Sequence, residues 1–132
     1  MEKRDYYKIM FLVAGIENIV AGLPLWFLGL SGPEAFALFG MPAPPSLFFF
    51  HAAMWFIVVF GIGYLLVGRD IGKNHGIVVL GVLSKTVFGI DAVAVVALAE
   101  AVPILLVFGI WDLLFAVLFA EFLLWTRKQP KA

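Results

Sequence analysis

The chain has 132 residues, of which 64% are hydrophobic and 14% are charged, and its nine basic and nine acidic side chains give a formal net charge of zero. Soluble domains carry about 25% charged and about 45–50% apolar residues, so this composition indicates an integral membrane protein. The absence of cysteine excludes a disulfide framework, a thiolate metal site and dithiol redox chemistry.

Four apolar runs predict four transmembrane helices. They cover residues 9–30, 47–67, 77–99 and 102–125. Each run has 21 to 24 residues, and about 20 helical residues are enough to cross the hydrocarbon core of a bilayer. We therefore expect an all-α polytopic membrane protein, in which a single domain, residues 1–132, forms a bundle of four transmembrane helices.

Basic residues are distributed unevenly among the segments outside these runs. They precede the first run, separate the second from the third and follow the fourth: Lys3, Arg4, Lys8, Arg69, Lys73, Arg127, Lys128 and Lys131. The other two connections contain no basic residue. Because positively charged segments stay on the cytoplasmic side, both termini and the middle connection are expected there. The sequence thus predicts a multi-pass protein of the cell inner (plasma) membrane with cytoplasmic termini.

The connection from Ser31 to Ser46 contains the signals of a short helix. Ser31 and Glu34 have the spacing of a capping box, and Gly40 is suited to end a helix. We expect a short helix over about 33–39 that lies flat at the outer membrane interface. Two roles are open for it: a plain interfacial connector, which we favour, and a lid over an outward-facing cavity.

Ionisable residues inside the apolar runs are the most unusual feature of the sequence. They are Glu17, Lys85, Asp91, Asp112 and Glu121, with the polar residues Asn18 and His51 beside them. A charged side chain near the centre of a transmembrane helix costs about 2.5–3.5 kcal/mol, and such residues usually face the protein interior. At about 1.5 Å per residue, Glu17, Lys85 and Asp112 lie within about 5 Å of the middle of their runs. Asp91 lies about 5 Å from the middle of its run, toward the outer side.

Helical phase indicates which of these residues share a face, since successive residues turn by about 100°. In the third run an arc of about 120° contains Gly81, Ser84, Lys85, Phe88, Asp91, Ala92 and Val95. Glu121 lies about 180° from Asp112 on the fourth run, so we expect it to reach the cytoplasmic interface instead. We predict that Glu17, Lys85, Asp91 and Asp112 meet in the core of the bundle.

Charge balance limits what this predicted cluster can do. Three carboxylates against the single Lys85 ammonium would leave a net charge of −2. At least one carboxyl is therefore expected to hold a proton, because burial and a nearby like charge favour its neutral form. Such a cluster suits a proton, a cation or a polar or lipidic ligand, and an ion-pair network that only locks the helices together is the competing interpretation. Asn18, as a hydrogen bond between helices, and His51, as an interfacial anchor, are weaker candidates for the site.

Other kinds of site are disfavoured. The two histidines, His51 and His75, fall on opposite sides of the predicted membrane, so no metal site is expected. No basic stripe for nucleic acid is present beyond the short clusters beside the membrane. No catalytic residue can be assigned, so an enzyme is not indicated. A bound lipid or quinone stays open as a cofactor, although lipid contact explains most of the aromatic residues.

Three segments, Phe60–Asp70, Asn74–Lys85 and Asp112–Ala116, give the chain a resemblance to a known group of proteins. Together with the layout of the four runs, they look like the small bacterial four-helix membrane proteins of the DoxX-like group. Some proteins of that group are linked to quinone-dependent sulfur oxidation, so the resemblance implies a link to quinone chemistry as one expectation. It assigns no functional residue.

Three functions are therefore compatible with the sequence. The first, which we favour, is a binding or proton-linked transport protein whose charged residues near the bilayer midplane hold a proton, a cation or a polar ligand. The second is an accessory subunit of a quinone-linked redox complex, and the third is a non-catalytic structural subunit of a larger membrane complex. Because four helices enclose little space, we expect that transport would need a homodimer, the smallest homo-oligomer. The expected partners are membrane lipid and either a second copy or a larger membrane complex, and not nucleic acid.

Overall fold

The structure is a computed structural model that describes residues 2–38, 40–98 and 101–129. Its helices, in chain order, are α1 (Lys3–Leu30), α2 (Glu34–Ala37), α3 (Leu47–Arg69), α4 (His75–Ala97) and α5 (Leu105–Arg127). No β-strand occurs in the described ranges. The helices α1, α3, α4 and α5 are each long and apolar enough to cross a membrane. The predicted all-α class is confirmed, with the four long helices that a four-helix bundle requires, and the chain is a multi-pass membrane protein.

The ends of the helices differ from the ends of the apolar runs. α1 begins at Lys3, six residues before the predicted start, because its polar first turns continue the helix outside the apolar run. Asp5 in the first turn favours this end through its attraction to the helix dipole. α5 begins at Leu105, three residues later than predicted, because the chain first makes a turn. α4 ends at Ala97, and the predicted end at Ala99 lies outside the described residues.

The connection between α1 and α3 forms the single helical turn α2 rather than a helix over about 33–39. The predicted capping box is wrong, because Ser31 ends α1 instead of starting α2. Its hydroxyl donates a hydrogen bond to the carbonyl oxygen of Phe27 at 3.3 Å, and α2 has no side-chain cap. Phe39, inside the predicted helix, lies outside the described residues.

An aromatic contact anchors α2 to α3. Phe36 of α2 is buried, and its ring packs edge-on against Phe50 of α3 with 4.9 Å between the ring centroids. The neighbouring Ala35 is buried as well. The short helix is therefore packed onto its own unit through one face.

The chain divides into two compact units, Met1–Arg69 and Asp70–Ala132. In the first unit α1 packs against α3 and α2 contacts α1, and in the second unit α4 packs against α5. The two long helices of each unit run antiparallel, since the early residues of one helix contact the late residues of the other. The largest fully buried side chains are Tyr7, Phe11, Tyr64 and Val67 in the first unit and Val78, Phe119 and Phe122 in the second.

Glycines set the distance between α1 and α3. Gly15, Gly22 and Gly29 recur every seven residues along α1, and all three are buried. A Cβ atom on Gly15 would lie 2.8 Å from the carbonyl oxygen of Gly61, and one on Gly22 would lie 3.0 Å from that of Met54. The two backbones are thus too close to leave ordinary room for a side chain at these positions. A seven-residue repeat of contacts is typical of a left-handed pair with a shallow crossing angle.

Candidate functional site

Lys85 of α4 and Asp112 of α5 form a salt bridge between two apolar helices. Lys85 Nζ donates a hydrogen bond to Asp112 Oδ1. Lys85 lies one residue from the midpoint of α4 and Asp112 lies four residues from the midpoint of α5, which correspond to about 1.5 Å and about 6 Å along the helix axes. The structure therefore brings together two of the predicted site residues, deep inside the segments that can span a membrane.

The buried face of α4 places Lys85 against α5. Its buried residues are Val78, Gly81, Lys85, Gly89 and Ala92. They recur at intervals of three or four, as residues on one helix face do. This face is centred about 60° away from the predicted arc, because Gly89 is buried while Phe88 and Asp91 are exposed.

The two helices approach each other closely one turn away from the ion pair. A Cβ atom on Gly89 would lie 2.8 Å from the carbonyl oxygen of Gly109, and one on Gly109 would lie 2.7 Å from Ala92 Cβ. Gly89 follows Lys85 by four residues and Gly109 precedes Asp112 by three. Since Lys85 and Asp112 lie on the same side of this crossing, their side chains meet beside a tightly closed backbone contact.

An aromatic ring completes the surroundings of the lysine. Lys85 Nζ lies 5.5 Å from the ring centroid of Phe115, which is itself buried. A cation near the face of an aromatic ring is attracted by the ring quadrupole. Phe115 is held in turn by edge contacts with Trp111 and Phe119, at centroid distances of 5.5 and 5.8 Å. The ammonium group thus has a carboxylate and an aromatic ring as neighbours within the second unit.

The two partners of the salt bridge differ in accessibility. The side chain of Lys85 is 5% exposed and that of Asp112 is 21% exposed. Apart from Lys85, no residue in the described ranges donates a hydrogen bond to the carboxylate of Asp112. A carboxylate has about four lone-pair positions, so Asp112 retains the capacity to accept another hydrogen bond, a proton or a cation. The carboxylate of Asp112 is therefore the more exposed partner of the pair and the one with unused hydrogen-bonding capacity.

Asp91, the third predicted site residue on this unit, lies apart from the ion pair. Its side chain is exposed, and no hydrogen bond or ion pair joins it to another residue in the described part of the chain. It follows Lys85 by six residues, which places it about 120° around α4. The structure therefore does not bring Asp91 to Lys85.

Glu17 and Asn18 belong to the first unit. Glu17 is half-buried on α1, and its Oε2 atom is fully buried. Asn18 is buried, and its Nδ2 atom donates a hydrogen bond to the carbonyl oxygen of Ile57 on α3 at 3.2 Å. The predicted role of Asn18 as a hydrogen bond between helices is confirmed.

His51 lies in an aromatic cluster at the end of the first unit that contains α2. Its ring centroid is 6.1 Å from that of Trp26 and 6.1 Å from that of Phe50, while Trp26 also contacts Trp55 at 5.4 Å. The Nε2 atom of His51 is buried and has no hydrogen-bond partner among the described residues. It occupies the space beside Gly29, where a Cβ atom would lie 2.8 Å from it. His51 therefore packs between α1 and α3 as part of the helix contact.

Three residues around the ion pair were not selected as site residues from the sequence. They are Gly89, Gly109 and Phe115. Glycine inside an apolar run is a known signal of close helix packing. The sequence of one run does not show which glycine of another helix it contacts. Phe115 follows Asp112 by three residues, so its face was predictable, whereas its contact with Lys85 depends on the packing of α4 against α5.

Within residues 2–38, 40–98 and 101–129, no group of three or more histidine, aspartate or glutamate side chains could hold a metal ion. Comparisons of the chain with protein-family models, with curated proteins and with solved structures give no match. The chemistry of the Lys85–Asp112 pair is therefore the basis for assigning a function.

Proposed function

We propose that this chain is a protein of the inner (plasma) membrane in which the Lys85–Asp112 pair forms an intramembrane site for a proton, a cation or the polar group of a lipidic ligand. The observation that supports this most directly is the salt bridge itself. It joins a buried ammonium to an accessible carboxylate between two helices that are apolar enough to span a membrane. Because the more exposed partner is the acceptor, the preferred ligand is a proton or a hydrogen-bond donor such as a hydroxyl or an ammonium group.

The energetics of buried ion pairs support a role in binding. Placing two charges in a low-dielectric environment has a desolvation cost that their attraction often only offsets. Well-packed apolar residues of similar volume are often equally stabilising or more so. Ionisable residues at membrane depth commonly mark proton, ion or substrate sites. A pair with one accessible carboxylate fits that class.

The alternative is a structural or accessory subunit of a larger membrane complex, of the quinone-linked kind that a DoxX-like protein would join. One observation favours it, which is the exposed carboxyl of Asp91 inside an apolar helix. An intramembrane carboxyl usually faces protein or water rather than lipid. A homo-oligomer or a partner protein that covers Asp91 would meet this requirement.

A ligand comparison tests the binding proposal. The wild-type protein and the Lys85→Met/Asp112→Leu variant are purified in nanodiscs, and their lipid, quinone and proton binding are compared by mass spectrometry of extracts and by a pH-indicator assay. The matched control is Lys73→Met/Asp70→Asn, which removes an ion pair of 3.1 Å outside the apolar segments. We expect the wild type and the control to retain a ligand or an exchangeable proton that the site variant lacks. Equal binding in all three proteins would refute the proposal.

The alternative has its own test, which the absence of cysteine makes simple. An Asp91→Cys variant is oxidised in membranes, with Gly76→Cys, exposed at the start of the same helix, as the control. A disulfide-linked dimer specific to position 91 would indicate that a second copy covers this face. If a cross-linker at position 91 captures neither a second copy nor another protein, Asp91 no longer supports the alternative.

A further inference from the structure

The two helix pairs share a sequence pattern. The second long helix of each unit contains Val-Phe-Gly-Ile-x-x-Leu-Leu, at Val59–Leu66 in α3 and at Val107–Leu114 in α5. The first long helix of each unit contains Val-x-Gly-Ile followed by an acidic residue, at Val13–Glu17 in α1 and at Val87–Asp91 in α4. Equivalent positions therefore differ by 74 residues on the first helix of each pair and by 48 on the second.

The contacts of the glycines follow this correspondence in the first helix of each pair. A Cβ atom on Gly15 would lie 2.7 Å from Leu65 Cδ2 and 2.8 Å from the carbonyl oxygen of Gly61. The equivalent atom on Gly89 would lie 2.7 Å from Leu113 Cδ2 and 2.8 Å from the carbonyl oxygen of Gly109. Gly109 and Leu113 are the positions that the sequence pattern makes equivalent to Gly61 and Leu65.

The contacts of the second helix follow it as well. A Cβ atom on Gly61 would lie 3.0 Å from Asn18 Cβ, and one on Gly109 would lie 2.7 Å from Ala92 Cβ. Asn18 and Ala92 are equivalent by the 74-residue offset. Each unit is therefore built around the same glycine crossing, with equivalent residues in equivalent contacts.

The repeat differs at the two positions of the ion pair. Lys85 precedes its crossing glycine by four residues and Asp112 follows its crossing glycine by three. The equivalent residues of the first unit are Phe11 and Tyr64, and both are fully buried. The same crossing is thus formed once with an ion pair and once with two aromatic side chains, whereas the acidic residue after the first glycine is present in both units.

We infer that the chain repeats one antiparallel helix pair, and that the Lys85–Asp112 ion pair is a substitution into this repeat that α4 and α5 do not need in order to pack. The first unit acts as an internal control, because it has the glycine crossing without the ion pair. Many membrane transporters are built from internal structural repeats. The inference deepens the proposed function on which it rests, since it separates the ion pair from the packing of the helices and leaves ligand binding as its role.

Two variants test the inference. One variant, Lys85→Phe/Asp112→Tyr, places the aromatic residues of the first unit at the equivalent positions of the second unit. The other variant is the near-isosteric Lys85→Met/Asp112→Leu. Gly89→Leu is the comparison, because its side chain would enter the backbone contact with Gly109. Thermal unfolding in nanodiscs and elution as a monodisperse species are measured for all three variants and for the wild type.

We expect at least one of the two double variants to unfold at the wild-type temperature, while Gly89→Leu unfolds well below it. If both double variants lose as much stability as Gly89→Leu, the ion pair is needed for packing and the inference is overturned. Ligand or proton binding by a stable double variant tests the proposed function separately from the repeat. Retained binding would refute the proposed function and leave the repeat intact. Loss of binding in a stable variant would support both.

Discussion

Gly89 and Gly109 face each other where α4 crosses α5, and a Cβ atom on Gly89 would lie 2.8 Å from the carbonyl oxygen of Gly109. Real Cβ atoms do not approach other atoms this closely, so either the helices or the side chains around them would have to move. The Lys85–Asp112 pair lies one helical turn away. The geometry of the candidate site is thus coupled to a backbone contact that only glycine permits.

The first prediction concerns this contact. Gly89→Ala should lower the free energy of unfolding by about 1–3 kcal/mol, the usual cost of adding an atom to a tightly packed interior. Gly76→Ala on the same helix is the control, because a Cβ atom there would meet nothing within 4 Å. The control should change stability by no more than about 1 kcal/mol, since alanine is a better helix former than glycine. Equal stability of the two variants in reversible detergent unfolding would contradict the described crossing.

The second prediction concerns the hydrogen bond of Asn18. The carbonyl oxygen of Ile57 that it contacts lies inside α3, where the helix supplies a backbone donor as well. Asn18→Ala should therefore cost only about 0.6 kcal/mol, the average for such polar contacts in a membrane protein. Alanine at the equivalent position of the second unit, Ala92, packs against the same glycine crossing.

Ser84→Ala provides the control for Asn18. The Ser84 hydroxyl donates a hydrogen bond to the carbonyl oxygen of Gly81 on its own helix at 3.2 Å, so this hydrogen bond does not connect two helices. Its removal should leave the unfolding transition unchanged. A loss of several kcal/mol for Asn18→Ala would mean that its amide has a larger role than the contact with Ile57.

The sequence predicted the four long helices of the fold and one residue pair of the candidate site. Length and hydropathy indicate four spanning helices because about 20 apolar residues are needed to cross a bilayer whatever the neighbours are. Depth and helical phase selected Lys85 and Asp112 independently on two helices, and the structure joins them. A charged residue in an apolar helix usually faces the protein interior, so this pair could be predicted from the positions of the two residues on their helices.

Asp91 could not be placed correctly from the sequence. Helical phase gives the angle between two residues on one helix, but it does not give the direction of the neighbouring helix. The predicted arc on α4 included Asp91 and omitted Gly89, whereas the structure buries Gly89 and exposes Asp91. The direction is set by the meeting of Gly89 with Gly109, a contact between two separate runs. The error at Ser31 has a local cause instead, because its hydroxyl donates a hydrogen bond to the preceding helix and not to the following one.

The third prediction tests the orientation in the membrane, which the uneven distribution of basic residues indicates. The chain contains no cysteine, so single cysteines can be introduced at the exposed positions Ala43 and Lys73. In intact cells a membrane-impermeant maleimide should label Ala43→Cys and should leave Lys73→Cys unlabelled until the membrane is permeabilised. The reverse pattern would place the termini on the outer side.

The fourth prediction concerns the coupling between Lys85 and Asp112. Removing one partner of a buried ion pair costs about 3–5 kcal/mol, because the remaining charge is left without a partner. Lys85→Met alone should therefore destabilise the protein strongly, although Lys85→Met/Asp112→Leu is expected to be tolerated. The same reasoning predicts that Lys85→Met with Asp112→Asn regains part of the loss, because the second change removes the uncompensated carboxylate.

A double-mutant cycle in nanodiscs measures this coupling as the departure of the double variant from the sum of the two single changes. The surface pair of Lys73 and Asp70 provides the reference, because its side chains are 75% and 44% exposed and such pairs contribute about 0–1 kcal/mol. The coupling for Lys85 and Asp112 should exceed that of the surface pair clearly. Additive losses would show that the two charges do not act together, and the proposed site would then lose the interaction on which it is based.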